Sequence, residues 1–93
     1  MYSVVLEKQY CKQLKKLSSQ KNFDLVALQK VIYLLEHDKQ LPEKYKDHQL
    51  KGGLVRFREC HVKHDMLLVY IKNKKELVLI LVAIGTHSAL FGN

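Results

Sequence analysis

The chain has one proline, four glycines and no tryptophan. So little of the two residues that interrupt regular structure excludes a Pro- or Gly-rich flexible chain, and a 47% apolar content supplies material for a core. Its two cysteines, Cys11 and Cys60, lack metal-type spacing, which argues against a disulfide framework or a thiolate zinc module and fits a reducing cytoplasm. Long hydrophobic runs are missing as well. The longest, Leu77 to Gly85, is strand-sized and too short to cross a membrane, and the opening MYSVVLEKQYCKQ lacks the features of a signal peptide. Acidic residues are the scarcer charge, nine against sixteen Lys and Arg, for a formal net charge of +7. That balance favours a polyanionic partner, because each phosphate neutralised by Lys or Arg releases condensed counterions. Charge alone does not separate RNA, DNA, an acidic protein and a membrane surface, and a merely solubilising basic surface fits it equally.

What is present organises into one domain over residues 1–93. Ser3 to Leu6 reads as a short edge strand. Leu6, Tyr10, Leu14 and Leu17 then recur at helical spacing, with Lys8, Lys12, Lys15 and Lys16 on the outer face. After the turn SQKN, Asn22 or Asp24 is the expected N-cap of a second helix striped by Leu25, Leu28, Ile32 and Leu35 and closed before Pro42. PEKYKDHQLKGG is a polar, basic connection, with a short strand expected near His48 to Leu50. LVRFRECHV, MLLVYIK and ELVLILVAI follow, separated by KHD and NKK, and read as an antiparallel meander. The last strand is apolar on both faces, so it belongs inside the sheet, and two helices can cover only one of its sides. The expected class is α+β: a strand, two helices and an antiparallel meander in two layers.

Five histidines are available for chemistry: His37, His48, His61, His64 and His87. His37 suits the C-terminal end of the second helix without any further role. The other four lie in or beside the expected sheet. In a meander, the turn at His64–Asp65 and the end of the last strand at His87 fall on the same edge, which brings His87 towards His61 and Asp65. Imidazoles titrate near neutrality, so two of them can serve as base and acid in RNA cleavage, with Lys and Arg stabilising the phosphodiester. Two other readings fit the same residues: a metal held by His61, His64, Asp65 and His87, and surface histidines of no catalytic consequence.

The strings YKDHQLKG, RECHVKHDMLLVY and GTHSALFG, in that order, resemble the YafQ branch of the RelE-like bacterial toxins. The resemblance spans residues 41–92, and the order of elements before it agrees with the family. It implies the RelE-like, microbial ribonuclease-like fold and an endoribonuclease toxin, an mRNA interferase of a type II toxin–antitoxin pair. Cleavage would occur within codons on the translating ribosome, with A-rich lysine codons favoured in some members, and would leave a 2′,3′-cyclic phosphate or its hydrolysed product. The implied catalytic set is His48, His61, Asp65 and His87: His87 as general acid, His48 or Asp65 as base, His61 positioning the substrate or stabilising charge. No metal and no cofactor is required. Phe91 either stacks on an RNA base or closes the core. Arg58 is a candidate phosphate contact, as are Lys46 and Lys51, which are also readily explained as solvated lysines. The implied partners are a cognate antitoxin, mRNA on the ribosome, and operator DNA through the antitoxin complex only. Met66, where family members commonly carry an aromatic residue, and the additional His64 depart from the pattern. From another class, a non-catalytic basic nucleic-acid-binding module or corepressor has the same composition.

Overall fold

The computed structural model describes residues 1–92. Strand β1 (Ser3–Leu6) leads through α1 (Lys8–Ser18) and α2 (Leu25–Glu36) to the two-residue β2 (His48–Gln49). Strands β3 (Arg58–Lys63), β4 (Met66–Asn73) and β5 (Val78–Gly85) and a short helix, α3 (His87–Phe91), complete the chain. The strands form one sheet in the order β1-β5-β4-β3-β2. β1 runs parallel to β5 and every other pairing is antiparallel. This is the expected α+β arrangement, with β5 flanked on both edges.

Each helix has a local cause. Asp24 caps α2, its carboxylate accepting the Ala27 amide at 3.0 Å, and it also binds Lys63 at 2.7 Å, tying the helix to the β3–β4 hairpin. These contacts, the Lys63 bond foremost, hold the Asp24 carboxyl below its ordinary pKa. At the far end, His37 Nδ1 lies 2.9 Å from the Tyr33 carbonyl and donates to it, satisfying an acceptor of the last turn. Tyr10 of α1 and Leu28, Val31 and Leu35 of α2 are buried with Cys60, Val62, Leu68, Tyr70, Leu79, Leu81 and Ile84 of the sheet. Side chains of this size contribute about 1.5–3 kcal/mol each on full burial. Burial pushes the Tyr10 phenol up to about 12. α1 also completes the edge of β5 beyond the end of β1. Gln9 donates to the Val82 carbonyl at 3.2 Å and Gln13 accepts the Ile84 amide at 2.8 Å.

Two boundaries differ from the sequence expectation. The third strand begins at Arg58 rather than Leu54, because Gly52, with φ +65°, turns the chain into a 3-10 turn over Gly52–Leu54. The last begins at Val78: Asn73 accepts the Lys75 and Glu76 amides and Leu77 takes a positive φ of 56°, which extends the NKK turn through Leu77. Register shifts at two points, between His61 and Lys63 on β3 and opposite Val69 and Tyr70 on β4. The second re-aims β5. Leu79, Leu81 and Ile84 all join the helix-side core, while Ala83 pairs with Val69 on the opposite face. That opposite face is covered in part by the chain itself, by the segment from Leu50 to Phe57 and by α3.

Candidate active site

The connection before β2 places the first histidine. Lys46 is left-handed (φ 49°, ψ 42°), and its amide closes the 3-10 turn Glu43–Tyr45 on the Glu43 carbonyl at 3.0 Å. The chain then enters β2, where His48 faces Glu59 across the ladder. His48 Nδ1 lies 2.7 Å from the Lys46 carbonyl, which can only accept, so this nitrogen carries a proton. Nε2 lies 3.4 Å from Glu59 Oε1. Glu59 is 6% exposed and is the buried charged residue among those described. Reading the sequence for histidines passed it over as a site residue. Its signal was its place in RFRECHV, an acidic side chain on the His61 face of an otherwise apolar and basic strand.

His61 is half-buried on the same face of β3 as Glu59, opposite Leu67, which in turn faces Gly85 of β5. Asp65 and the left-handed His64 form the exposed hairpin turn. Asp65, His64, Met66, Gly85 and Thr86 line one groove of about 690 Å³, so the topology does bring the hairpin turn and the end of β5 to one edge. Thr86 caps α3 by accepting the Ala89 amide at 3.1 Å. A Cβ on Gly85 would stand 3.3 Å from Leu90, so this glycine allows α3 to lie close on the sheet. His87 and Phe91, one helical turn apart, present neighbouring rings with centroids 5.2 Å apart. Phe91 is 39% exposed rather than sealed in the core.

Between α3 and the Leu50–Phe57 segment runs a groove of about 320 Å³. Val69, Val82 and Ala83 are among its lining residues, with Leu50, Leu54 and Phe57 from one side and Leu90 and Phe91 from the other. An apolar slot with an exposed aromatic edge suits a flat, unstacked ring. Lys51 is exposed next to Leu50 on the β2 connection, whereas Lys46 is exposed on the helix side, lining grooves with Arg58 and with Asp24. Arg58 lies on that side too. Strand alternation turns it to the helix side with Cys60, away from Glu59 and His61, and there it holds Asp47 at 3.1 Å.

The set therefore divides. His48 and Glu59 are in contact, and His61 shares their face. His87 and Phe91 stand together on α3, and Asp65 lines the groove that reaches Gly85 and Thr86, just before that helix. Among the described residues, no three His, Cys, Asp or Glu side chains converge to hold a metal ion, so His61, His64, Asp65 and His87 do not form a ligand group.

A five-stranded mixed sheet backed by two helices is the RelE-like toxin architecture. The sequence model described as the bacterial toxin of a type II toxin–antitoxin system, YafQ, matches residues 2–92, and the chain belongs to that family. It is similar to the mRNA interferase toxin YafQ of Escherichia coli strain K12, 38% identical over 85 residues, covering 90% of this chain and 89% of that protein. It also resembles a solved metal-bound toxin from Helicobacter pylori: TM-score 0.89, 49% identity, 98% of this chain and 100% of that one. The E. coli DinJ–YafQ complex aligns with a TM-score of 0.85 at 31% identity, over 99% of this chain and 100% of that one.

Proposed function

We propose that this chain is an mRNA interferase, an endoribonuclease that cuts message on the translating ribosome by metal-independent acid–base catalysis. The observation that carries the mechanism is the His48–Glu59 pair on the face opposite the two long helices, with Glu59 two residues from His61 on β3 and on the side of the sheet that α3 partly covers. The ribose 2′-oxygen attacks phosphorus as its proton passes to the His48–Glu59 pair. The bond from phosphorus to the 5′-oxygen breaks as His87 protonates that oxygen. The products are a 2′,3′-cyclic phosphate and a 5′-hydroxyl, with every proton accounted for by the chain's own groups.

The pair is a better base than Asp65, which lies exposed in the turn and is left to hydrogen-bond the nucleotide at the rim. With Nδ1–H donating to the Lys46 carbonyl, His48 takes the substrate proton at Nε2, beside a carboxylate that stabilises the imidazolium. His61 faces the phosphoryl oxygens, Lys46 and Lys51 meet flanking phosphates, and Phe91 stacks on a base. A cognate antitoxin neutralises the toxin and carries the complex to operator DNA, and the setting is the cytoplasm.

The test expresses the toxin inducibly, maps message 5′ ends, and repeats cleavage with purified toxin and ribosome complexes in the presence of a transition-metal chelator that spares magnesium. New ends within codons and a chelator-insensitive rate are expected. Abolition by the chelator, with rescue by added metal, would replace this mechanism with a metal-dependent one, a reading to which the metal-bound H. pylori relative gives weight.

A further inference from the structure

We infer that Asp47 is a positioning residue for His48, acting with Arg58 and Tyr70 as a clamp that fixes the loop on the sheet edge; the inference rests on the catalytic reading of His48. The strand that carries His48 is weak by itself. β2 contributes the pairs His48–Glu59 and Gln49–Arg58 at the outer edge of the sheet, and His48 and Gln49 are both exposed. One bond from the Leu50 amide to the Phe57 carbonyl at 3.0 Å and one from the Gln49 side chain to the Val55 carbonyl at 2.6 Å follow, all on the C-terminal side of His48. A ladder so short frays unless something else holds it.

Asp47 supplies the hold from the other side of the sheet. Its Oδ2 accepts from Arg58 Nη2 at 3.1 Å and its Oδ1 from Arg58 Nε at 3.4 Å and from the Tyr70 hydroxyl. Arg58 is fixed in β3 and stays charged, and hydrogen bonds between charged partners are about twice as strong as neutral ones. Tyr70 is 1% exposed in the middle of β4, and burial, with Asp47 beside it, pushes its phenol pKa up, so the hydroxyl remains a donor. The neighbouring residue completes the geometry: left-handed Lys46 offers its carbonyl to His48 Nδ1. Two anchors, the Asp47 carboxylate and the Lys46 carbonyl, thus leave the imidazole one orientation towards Glu59. The same arrangement explains why Arg58 faces away from the catalytic groups: it holds the loop from behind.

Displacing a catalytic group by about 1 Å can cost on the order of a hundredfold in rate. Asp47→Ala is expected to lower kcat at least tenfold with KM within twofold and antitoxin binding retained. In the His48→Ala background it should lower the residual rate no further. The 15N shifts of the His48 ring, with Nδ1 held as a donor to the Lys46 carbonyl in wild type, should move towards values averaged over both ring nitrogens. An unchanged kcat and unchanged ring signals would overturn the inference, as would an equal loss in the His48→Ala background, which marks a merely structural role. Should Asp47→Ala fail to fold, Asp47→Asn takes its place, with the same direction of change expected and the same null result decisive. If His48→Ala itself keeps wild-type kcat, the catalytic reading of His48 falls, and the ring signals of the Asp47 variants still decide whether the clamp exists.

Discussion

His87→Ala is expected to reduce cleavage by about a hundred- to ten-thousand-fold, the usual contribution of a positioned general acid, while leaving folding and antitoxin binding intact. The expectation combines chemistry with exposure. The departing 5′-oxygen is a poor leaving group unless protonated, and His87 is the histidine on α3, the helix that lies over the open face at Gly85. Its side chain is exposed and its neighbour is Phe91, so truncation opens no cavity in the core. Thermal unfolding, antitoxin binding and single-turnover cleavage measured on one preparation separate the outcomes. A variant that unfolds early and cuts poorly would make His87 a structural residue. One that cuts at the wild-type rate would move the acid to another group.

Glu59→Gln should cost about a hundredfold in cleavage, with stability equal to wild type or greater. The amide keeps the shape and a hydrogen-bonding oxygen but removes the negative charge that faces His48 Nε2, so the imidazolium formed during attack loses its compensation. Stability moves the other way because a carboxylate 6% exposed, partnered among the described residues by a histidine 51% exposed at its side chain, is expensive to bury. A urea midpoint unchanged or raised alongside a large loss of rate identifies a functional charge. A lowered midpoint with little loss of rate would assign Glu59 to the fold.

Much of this site was legible in the sequence because turns and alternation are local properties. Two short hairpins fix which strand ends share an edge, so the turn at Asp65 and the end of β5 at Gly85 and Thr86 meet at one groove as the strand order implies. Asp24 was readable as one of two candidate caps, with Asn22, and β2 as a short strand near His48 to Leu50. The glycines at 52 and 53 hid the true start of β3, since an apolar-basic run such as LVRF reads as strand until the left-handed Gly52 turns it away. The bulge opposite Tyr70 was likewise invisible: apolar residues on both faces of β5 give no phase from which to detect a slip. Glu59 and Asp47 were missed for a different reason. A single carboxylate has meaning only through what it touches, and their partners His48, Arg58 and Tyr70 come from other strands or the opposite face. Arg58 shows the converse. The family resemblance suggested a phosphate contact, but the alternation of β3 turns Arg58 to the helix side, where it pairs with Asp47.

The most direct test of the mechanism uses a message with a single 2′-deoxynucleotide at the mapped cleavage site, programmed into ribosomes and treated with purified toxin. The mechanism predicts no cutting at that position, and on the all-ribose message a 2′,3′-cyclic phosphate paired with a 5′-hydroxyl. Cleavage of the deoxy-substituted message, or products ending in a 3′-hydroxyl and a 5′-phosphate, would show that water rather than the ribose is the nucleophile and would contradict the acid–base account.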